Sequence, residues 1–244
     1  MLGKRRSYAE AVQGRRKTGR MIGLVLVVFV CYEVLSGLFI TSYSMQSQAM
    51  SPTVLPGQRI LATPLAFGPN TLFGKMLGFA RPERGDIAVV RPNYAKRGGL
   101  WSMLFDSFVR FFTFQLVSPA RNVPDGMLSA PILLRVVGLP GDTIQMDDFI
   151  FKVKAAGTDQ FLTEFELSTK SYDISHSDPP KSWSADLPGS GHMDARVLSK
   201  DEYFLAGDNR SLSSDSRLWG SARSDRFLAK AILRYWPPKS FGAF

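Results

Sequence analysis

The sequence predicts a mostly β domain preceded by one N-terminal transmembrane helix. Two observations lead to this prediction. A single long apolar run, residues 22–40, lies near the N-terminus, and after residue 41 short apolar runs alternate with Gly, Pro, Asp and Asn. Hydrophobic residues make up 45% of the 244-residue chain, so we expect a packed core and not a disordered chain.

The first segment predicts a membrane anchor. Residues 1–20 contain seven basic residues and Glu10, and therefore carry +6 of the net charge of +9. The apolar run is long enough to cross a bilayer at about 1.5 Å per residue. Positive charge before such a run keeps its N-terminal side in the cytoplasm. We expect a cytoplasmic tail (1–20), a transmembrane helix (21–41) and an extracytoplasmic domain (42–244) in a single-pass protein of the inner (plasma) membrane.

A cleaved signal peptide and a nucleic-acid-binding tail are the alternative interpretations of this segment. Ser47-Gln48-Ala49 resembles a signal-peptide cleavage site, but the apolar run is longer than a typical signal-peptide core, which favours a retained anchor. The excess charge lies in a short tail, which fits an anionic membrane surface better than nucleic acid. Cys31 is the only cysteine, so the exported part has no intramolecular disulfide. Glu33, inside the run, should be protonated or face a partner helix.

The elements after the anchor follow from local patterns. Residues 100–116 are strongly apolar and predict a core helix or hairpin, or an interfacial segment that dips into the bilayer. Residues 158–199 are polar and rich in Ser, Asp, Pro and Gly, which predicts a loosely ordered segment. The expected strands are 59–62, 86–90, 132–138, 143–144, 149–153, 202–206 and 231–236.

Four motifs carry the chemistry. They are SQAMSPTVLPGQRIL from Ser47, ERGDIAVVRP at 83–92, LLRVVGLPGDTI at 133–144 and YFLAGDNRSLSSDSRLWG at 203–220. In this order, after one N-terminal span, they resemble the bacterial type I signal peptidase family (S26). The resemblance also covers the closing KAILRYWPP. It implies a membrane-anchored antiparallel β core with a smaller inserted β and loop subdomain, which we place at 146–200.

The resemblance also implies an activity and its requirements. Members of the family cleave signal peptides from exported pre-proteins with a serine nucleophile and a lysine base, and no cofactor. A serine hydroxyl needs a base within hydrogen-bond reach. Lysine can act as that base only when burial lowers its pKa and leaves it neutral. The oxyanion needs donors, from backbone N–H groups and a hydroxyl. The expected partners are signal peptides and membrane lipid, with no nucleic acid.

The family's roles transfer to matching positions of this chain. Ser47 matches the oxyanion serine, and Ser213 matches the serine that orients the lysine. The supporting positions are Met50, Pro52 and Thr53 around the nucleophile, Gly207, Asp208 and Asn209 in a turn, and Asp215 and Arg217 as an ion pair. From these matches we expect the strand with Ala49 to lie beside the strand with Leu134, and Ser213 to lie close to both.

The two positions that perform the chemistry do not match. Ala49 stands at the nucleophile position, and Leu134 stands at the general-base position. Leu has roughly the volume of Lys but no amine to desolvate, so the replacement should stabilise the core once no base is needed. We therefore interpret the chain as a naturally degenerate member, a pseudoenzyme, and not as a single-site trap mutant.

Other interpretations stay open. The chain could be an active signal peptidase that uses an unidentified residue, or a purely structural protein. If the stretch is extended, Ser51 shares a face with Ser47 and Ala49 but lies roughly 6–7 Å from the attack point, too far for catalysis. His176 and His192 should be exposed in the polar segment, and no pattern of ligands predicts a metal site. A non-catalytic protein could bind signal segments or pair with an active relative.

Overall fold

The computed structural model of the protein describes residues 8–71, 74–95, 100–113, 117, 119, 131–180, 182–184, 187 and 189–244. Its helices are α1 (Tyr8–Leu38), α2 (Leu100–Phe112), α3 (Glu164–Leu167) and α4 (Ser216–Trp219). Its strands are β1 (Thr41–Ser44), β2 (Arg59–Thr63), β3 (Asn70–Thr71), β4 (Gly74–Lys75), β5 (Ile87–Val90), β6 (Ile132–Gly138), β7 (Thr143–Asp147), β8 (Ile150–Lys154), β9 (Leu162–Thr163), β10 (Met193–Val197), β11 (Glu202–Ala206), β12 (Ala222–Arg223), β13 (Phe227–Trp236) and β14 (Gly242–Ala243). The mostly β prediction is confirmed.

One large antiparallel sheet forms the body of the molecule. Its strand order is β1-β2-β13-β5-β6-β11-β12, and β14 pairs with β13. A smaller antiparallel sheet has the order β10-β7-β8-β9, and β3 pairs with β4 in a short hairpin. Since β6 lies between β5 and β11, the motif after residue 133 and the motif after residue 203 lie on neighbouring strands.

Alternation of side chains along the strands divides the core by face. On one face of the large sheet, Leu133 packs in a buried cluster with Met50 and Ile60. On the other face, Leu134 packs in a second cluster with Leu205 and Phe227. A third cluster joins β6 and β11 to the smaller sheet, so the two sheets share a core; its largest members are Phe151, Phe204, Ile144 and Met146.

The polar segment 158–199 is more ordered than we expected. It contains β9, α3 and β10. A capping box starts α3: Thr163 Oγ1 accepts from the Glu166 N–H, and Glu166 Oε2 accepts from the Thr163 N–H at 2.7 Å. Hydropathy missed these elements because capping and edge pairing, as of β10 on β7, need no apolar run.

The N-terminal helix is longer than the apolar run. It begins at Tyr8 and so continues through much of the basic segment without a break. Over Gln13–Leu35 it is long and apolar enough to cross a membrane, and the described part of the chain contains one such helix. The predicted helix 21–41 lies in this one helix up to Leu38, where α1 ends; Phe39 and Ile40, the last residues of the apolar run, lie outside it.

The apolar segment after residue 100 is a helix, and the hairpin alternative is wrong. The described part of this segment forms α2, which packs on α1; residues 114–116 lie outside the described residues. Ser107 Oγ donates to Glu33 Oε2 at 2.8 Å, and Arg110 Nη2 lies 4.0 Å from the same oxygen. The expectation that Glu33 faces a partner helix is confirmed, with α2 of the same chain as the partner.

Candidate active site

The chain around Ala49 is a turn that long-range hydrogen bonds hold in place. The Asn209 N–H donates to the Ala49 carbonyl oxygen at 3.0 Å, and Ser175 Oγ donates to the Ser51 carbonyl oxygen at 3.0 Å. Ala49 is half-buried, whereas Met50 is fully buried below the turn. The backbone at the nucleophile position is therefore fixed by the turn after β11, and not by strand pairing.

A buried ion pair connects the same turn to β6. Arg135 donates from Nε to Asp208 Oδ1 at 2.7 Å and from Nη2 to Asp208 Oδ2 at 2.6 Å. Arg135 Nη1 also donates to the Gly85 carbonyl oxygen at 2.8 Å. Thr53 Oγ1 donates to Asp208 Oδ2 at 2.5 Å, so one carboxylate holds both the turn and the strand. Both charged side chains are buried, which makes their mutual pairing obligatory.

Leu134 occupies the general-base position with an apolar, fully buried side chain. It lies opposite Ala88 on β5 and packs in the cluster with Val136 and Leu205. The site that would hold a desolvated amine holds four carbon atoms instead.

Gly207 brings Ser213 close to the Ala49 turn. It directly follows Ala206, the last residue of β11, which pairs with Arg135 of β6. A Cβ on Gly207 would overlap the Ser213 side chain and lie 2.5 Å from the Ala49 carbonyl oxygen. Only glycine therefore fits between Ser213 and the Ala49 carbonyl. The Ala49 side chain packs against the buried cluster of Met50 and Leu133, whereas Leu134 lies in the second cluster.

The Ser213 hydroxyl is buried without a hydrogen-bond partner among the described residues. A buried hydroxyl without a partner costs about 1–3 kcal/mol. In the family resemblance this oxygen orients the lysine, and a leucine at 134 offers it nothing to bind.

Ser213→Ala is expected to raise the free energy of unfolding of the original chain by about 1 kcal/mol, because it removes an unpaired buried hydroxyl. In a Leu134→Lys background the same change is expected to lower that free energy by about 1 kcal/mol, because the hydroxyl then binds the amine. Both changes in the free energy of unfolding are measured by thermal unfolding in detergent of the original chain, Ser213→Ala, Leu134→Lys and the double variant. Ser214→Ala, at an exposed neighbour, is the control. An identical effect in both backgrounds would refute the contact between positions 134 and 213.

The remaining positions lie around this centre. Arg217 binds Asp215 with two hydrogen bonds, Nε to Oδ1 at 2.9 Å and Nη2 to Oδ2 at 2.8 Å. Asp215 Oδ2 also accepts from the Gly207 N–H at 3.1 Å, so this ion pair helps to position the glycine. Ser47 is half-buried in the bend before Ala49.

Sequence reasoning missed a second buried cluster behind the Arg135–Asp208 pair. Arg210 donates to the Gly207 carbonyl oxygen at 2.7 Å and forms a fully buried ion pair with Glu164. Tyr172 donates to Glu164 Oε2 at 2.8 Å, and the Arg135 guanidinium lies 3.8 Å from the Tyr172 ring centre.

Burial, and next the Glu164 carboxylate, raises the pKa of Tyr172, so this hydroxyl stays a donor at physiological pH. Arg210 stands inside the GDNR motif and could have been noticed. Glu164 and Tyr172 lie in the polar segment and gave no signal.

Two geometric expectations are wrong. Residues 49–53 form turns, so Ser47, Ala49 and Ser51 do not lie on one face of an extended strand. For the same reason no strand with Ala49 lies beside β6, and β2 pairs with β1 and β13 instead. The long-range bonds of the turn decide its path, and local alternation does not reveal them.

A comparison of the sequence with protein-family models identifies the family. Residues 17–236 match the protein family described as "Signal peptidase, peptidase S26". The chain is 23% identical over 218 residues to Signal peptidase IB of Staphylococcus aureus, with 89% of this chain and 88% of that protein covered. It is 24% identical over 241 residues to Signal peptidase I of Rickettsia bellii, with 88% and 71% covered. A crystal structure of a signal peptidase I from Enterococcus faecalis aligns with a TM-score of 0.29 and 15% identity, over 62% of this chain and 96% of that chain.

Proposed function

We propose, from the premise that this chain belongs to the signal peptidase family S26, that it is a catalytically impaired member. It handles the signal peptides of exported proteins by binding or scaffolding, and it cleaves them negligibly. Its partners would be signal segments, membrane lipid and, as a second possibility, an active relative in the same membrane. We also retain the division into a tail, a span and an extracytoplasmic domain with an inserted subdomain at 146–200 as a proposal.

The observation that carries this proposal is the environment of Leu134. Its side chain is fully buried among apolar neighbours, and the buried Ser213 hydroxyl, which would orient a lysine at 134, has no partner among the described residues. A functional dyad would need an amine there and an oxygen at position 49, where Ala49 carries a methyl group. The surrounding scaffold is retained, since Arg135, Asp208 and the turn are still joined.

The alternative is an active signal peptidase. The names of the relatives from Staphylococcus aureus and Rickettsia bellii favour it. It would require another nucleophile and another base. His176 stacks on Phe149 with ring centres 4.3 Å apart, and His192 Nε2 lies 3.6 Å from Asp194; both histidines are exposed. Neither contact joins a histidine to the Ala49 turn.

The test is cleavage of a pre-protein by the purified full chain in liposomes. The proposal expects no product above the level of protein-free liposomes. Cleavage at a rate that rises in proportion to the amount of chain, and that persists through purification, would establish the alternative.

The expected topology can be tested separately. Protease added outside intact spheroplasts is expected to degrade the bulk of the chain and to remove an epitope fused after Phe244, because positive charge retains residues 1–20 in the cytoplasm. A cytoplasmic marker protein that stays intact is the control. Full protection of the epitope and of the bulk would reverse the orientation.

A further inference from the structure

Helix α2 is amphipathic, but its charged side faces the protein and its apolar side faces outward, the reverse of a surface helix on a water-soluble domain. Its charged residues face α1: Asp106 is only 6% exposed, and Arg110 is largely buried beside it. Its apolar residues face outward, and Trp101 is 83% exposed. The other outward apolar residues are Leu104, Phe105, Phe108 and Phe112. Polar groups turned toward protein and aromatic groups turned outward are typical of a helix whose solvent is lipid.

The contacts with α1 set the depth of α2. Phe111 packs edge-on against Phe29 and Tyr32, with ring centres 5.2 Å apart in both pairs. Ser107 binds Glu33 in the same region. All three α1 residues lie within the candidate span Gln13–Leu35. A helix that packs there cannot lie in the water outside the bilayer if α1 spans it.

Helix dimensions give the depth more closely. The apolar run ends at Ile40, and Glu33 and Phe29 precede it by about 10 and 16 Å at about 1.5 Å per residue. Helix α2 is about 20 Å long by the same rise, whereas a span of the hydrocarbon core needs about 30 Å. It is therefore long enough to enter the bilayer and too short to cross it.

Pairing of opposite charges lowers the free-energy cost of placing the charged side chains of α2 inside the bilayer. Arg110 Nε lies 2.9 Å from Asp106 Oδ2, and Arg110 Nη2 lies 4.0 Å from Glu33 Oε2. An unpaired charge inside a membrane costs at least about 2.5 kcal/mol. The three side chains and Ser107 form one cluster between the helices, in which Asp106 and Arg110 are largely buried and the Glu33 side chain is 28% exposed.

A second group of exposed apolar residues lies in the loop after β4. Leu77 and Phe79 are 96% and 87% exposed there, beside the exposed Met76. This loop is hydrogen-bonded to the short 3-10 helix Pro64–Ala66, where the Phe79 N–H donates to the Leu65 carbonyl oxygen at 3.1 Å. That short helix in turn contacts α1. Exposed apolar groups thus occur on α2, which packs on α1, and on a loop bound to the second element that contacts α1.

We propose that α2 is a re-entrant helix in the outer leaflet. Lipid acyl chains cover its face of Trp101, Leu104, Phe105, Phe108 and Phe112, and the Glu33–Ser107–Arg110–Asp106 cluster locks it to α1. This inference rests on the proposed span and orientation of α1. The cluster explains why the membrane helix keeps a carboxylate.

The test uses the full chain in liposomes, in a Cys31→Ser background. An environment-sensitive fluorophore is attached at Leu104→Cys on α2, at Val27→Cys on α1 or at Val197→Cys on the exposed end of β10, and mid-chain doxyl lipid is the quencher. Emission from 104 and from 27 is expected to fall about twofold or more, since both labels lie within the roughly 30 Å hydrocarbon core, while emission from 197 stays unchanged.

The other outcomes distinguish a failure of the inference about α2 from a failure of the proposed span of α1. Quenching at 27 but not at 104 would leave the span intact and overturn the inference about α2. No quenching at either site would overturn the span, and the inference with it. An unquenched label at 104, together with cross-links between copies through Leu104→Cys, would show that a second copy and not lipid covers this face.

A further substitution tests the role of the charge cluster. Arg110→Gln leaves Glu33 and Asp106 without their counter-charge, so quenching at 104 is expected to fall at least twofold while quenching at 27 is kept. Lys152→Gln is the matched control, because it breaks an exposed ion pair with Asp147 in the smaller sheet. Equal quenching at 104 in both variants would overturn the locking role of the cluster.

Discussion

The double substitution Ala49→Ser plus Leu134→Lys is expected to raise the rate of signal-peptide cleavage by at least about 10³-fold over the original chain. Removal of the nucleophile or the base from a serine protease lowers kcat by roughly 10⁶-fold, which sets the upper limit of the gain. Without an oxygen at 49 no acyl intermediate can form, and without an amine at 134 nothing takes the proton.

Each single substitution is expected to recover little. The catalytic residues of such a site act as a unit, so losses and gains are strongly non-additive. A serine at 49 alone would have no base, and a lysine at 134 alone would have no hydroxyl to deprotonate. Leu134→Lys alone gives Ser213 an amine to orient, but only the double variant also gives that amine a hydroxyl to deprotonate.

The experiment compares initial rates on one pre-protein in liposomes for the original chain, both single variants and the double variant. Ala49→Ser plus Leu134→Met is the matched control, because it restores the nucleophile and places at 134 a side chain that is unbranched, like lysine, but carries no base. Circular dichroism confirms that each variant is folded. A double variant that is no faster than this control would show that the site has drifted beyond two residues, and partner binding would become the better explanation.

The parts of the fold that follow from local pattern could be predicted. Strands β6 and β11 have the bounds that their apolar runs indicate, because both are buried on both faces. Strand β1 was missed because TSYS is short, polar and continuous with the membrane run. The predicted start of β13 was four residues late, since Phe227–Lys230 pairs with β5 across an irregular register.

The candidate site, like the fold, could be predicted only in part. Ala49 and Leu134 could be identified from the motifs, because a motif fixes positions along the chain. The path of the turn could not, since residue contacts between motifs decide it: Asn209 holds Ala49, and Asp208 holds Thr53. The partner of Glu33 could not be predicted either, because Ser107 lies 74 residues further along the chain and the polar residues of α2 look like ordinary surface residues of a helix.

The buried pair of Arg135 and Asp208 gives the largest expected effect on stability. Asp208→Ala is expected to lower the free energy of unfolding by about 3–5 kcal/mol, because it leaves a buried guanidinium without its counter-charge. Thr53 loses its acceptor in the same variant, so the turn with Ala49 should loosen as well. In a domain of this size the loss corresponds to a Tm lower by roughly 6–20 °C, which thermal unfolding in detergent measures directly.

The matched comparison is Asp147→Ala, which removes an exposed carboxylate from its pair with Lys152 and is expected to change the free energy of unfolding far less, because solvent screens that pair. Replacing both partners, Arg135→Met with Asp208→Leu, should cost less than Asp208→Ala alone, because no buried charge is left unpaired. If Asp208→Ala were as mild as Asp147→Ala, Arg135 would have to find water or another acceptor. Asp208 would then not be the group that holds β6 and the turn together, and the scaffold around positions 49 and 134 would depend on the Asn209 and Ser175 hydrogen bonds instead.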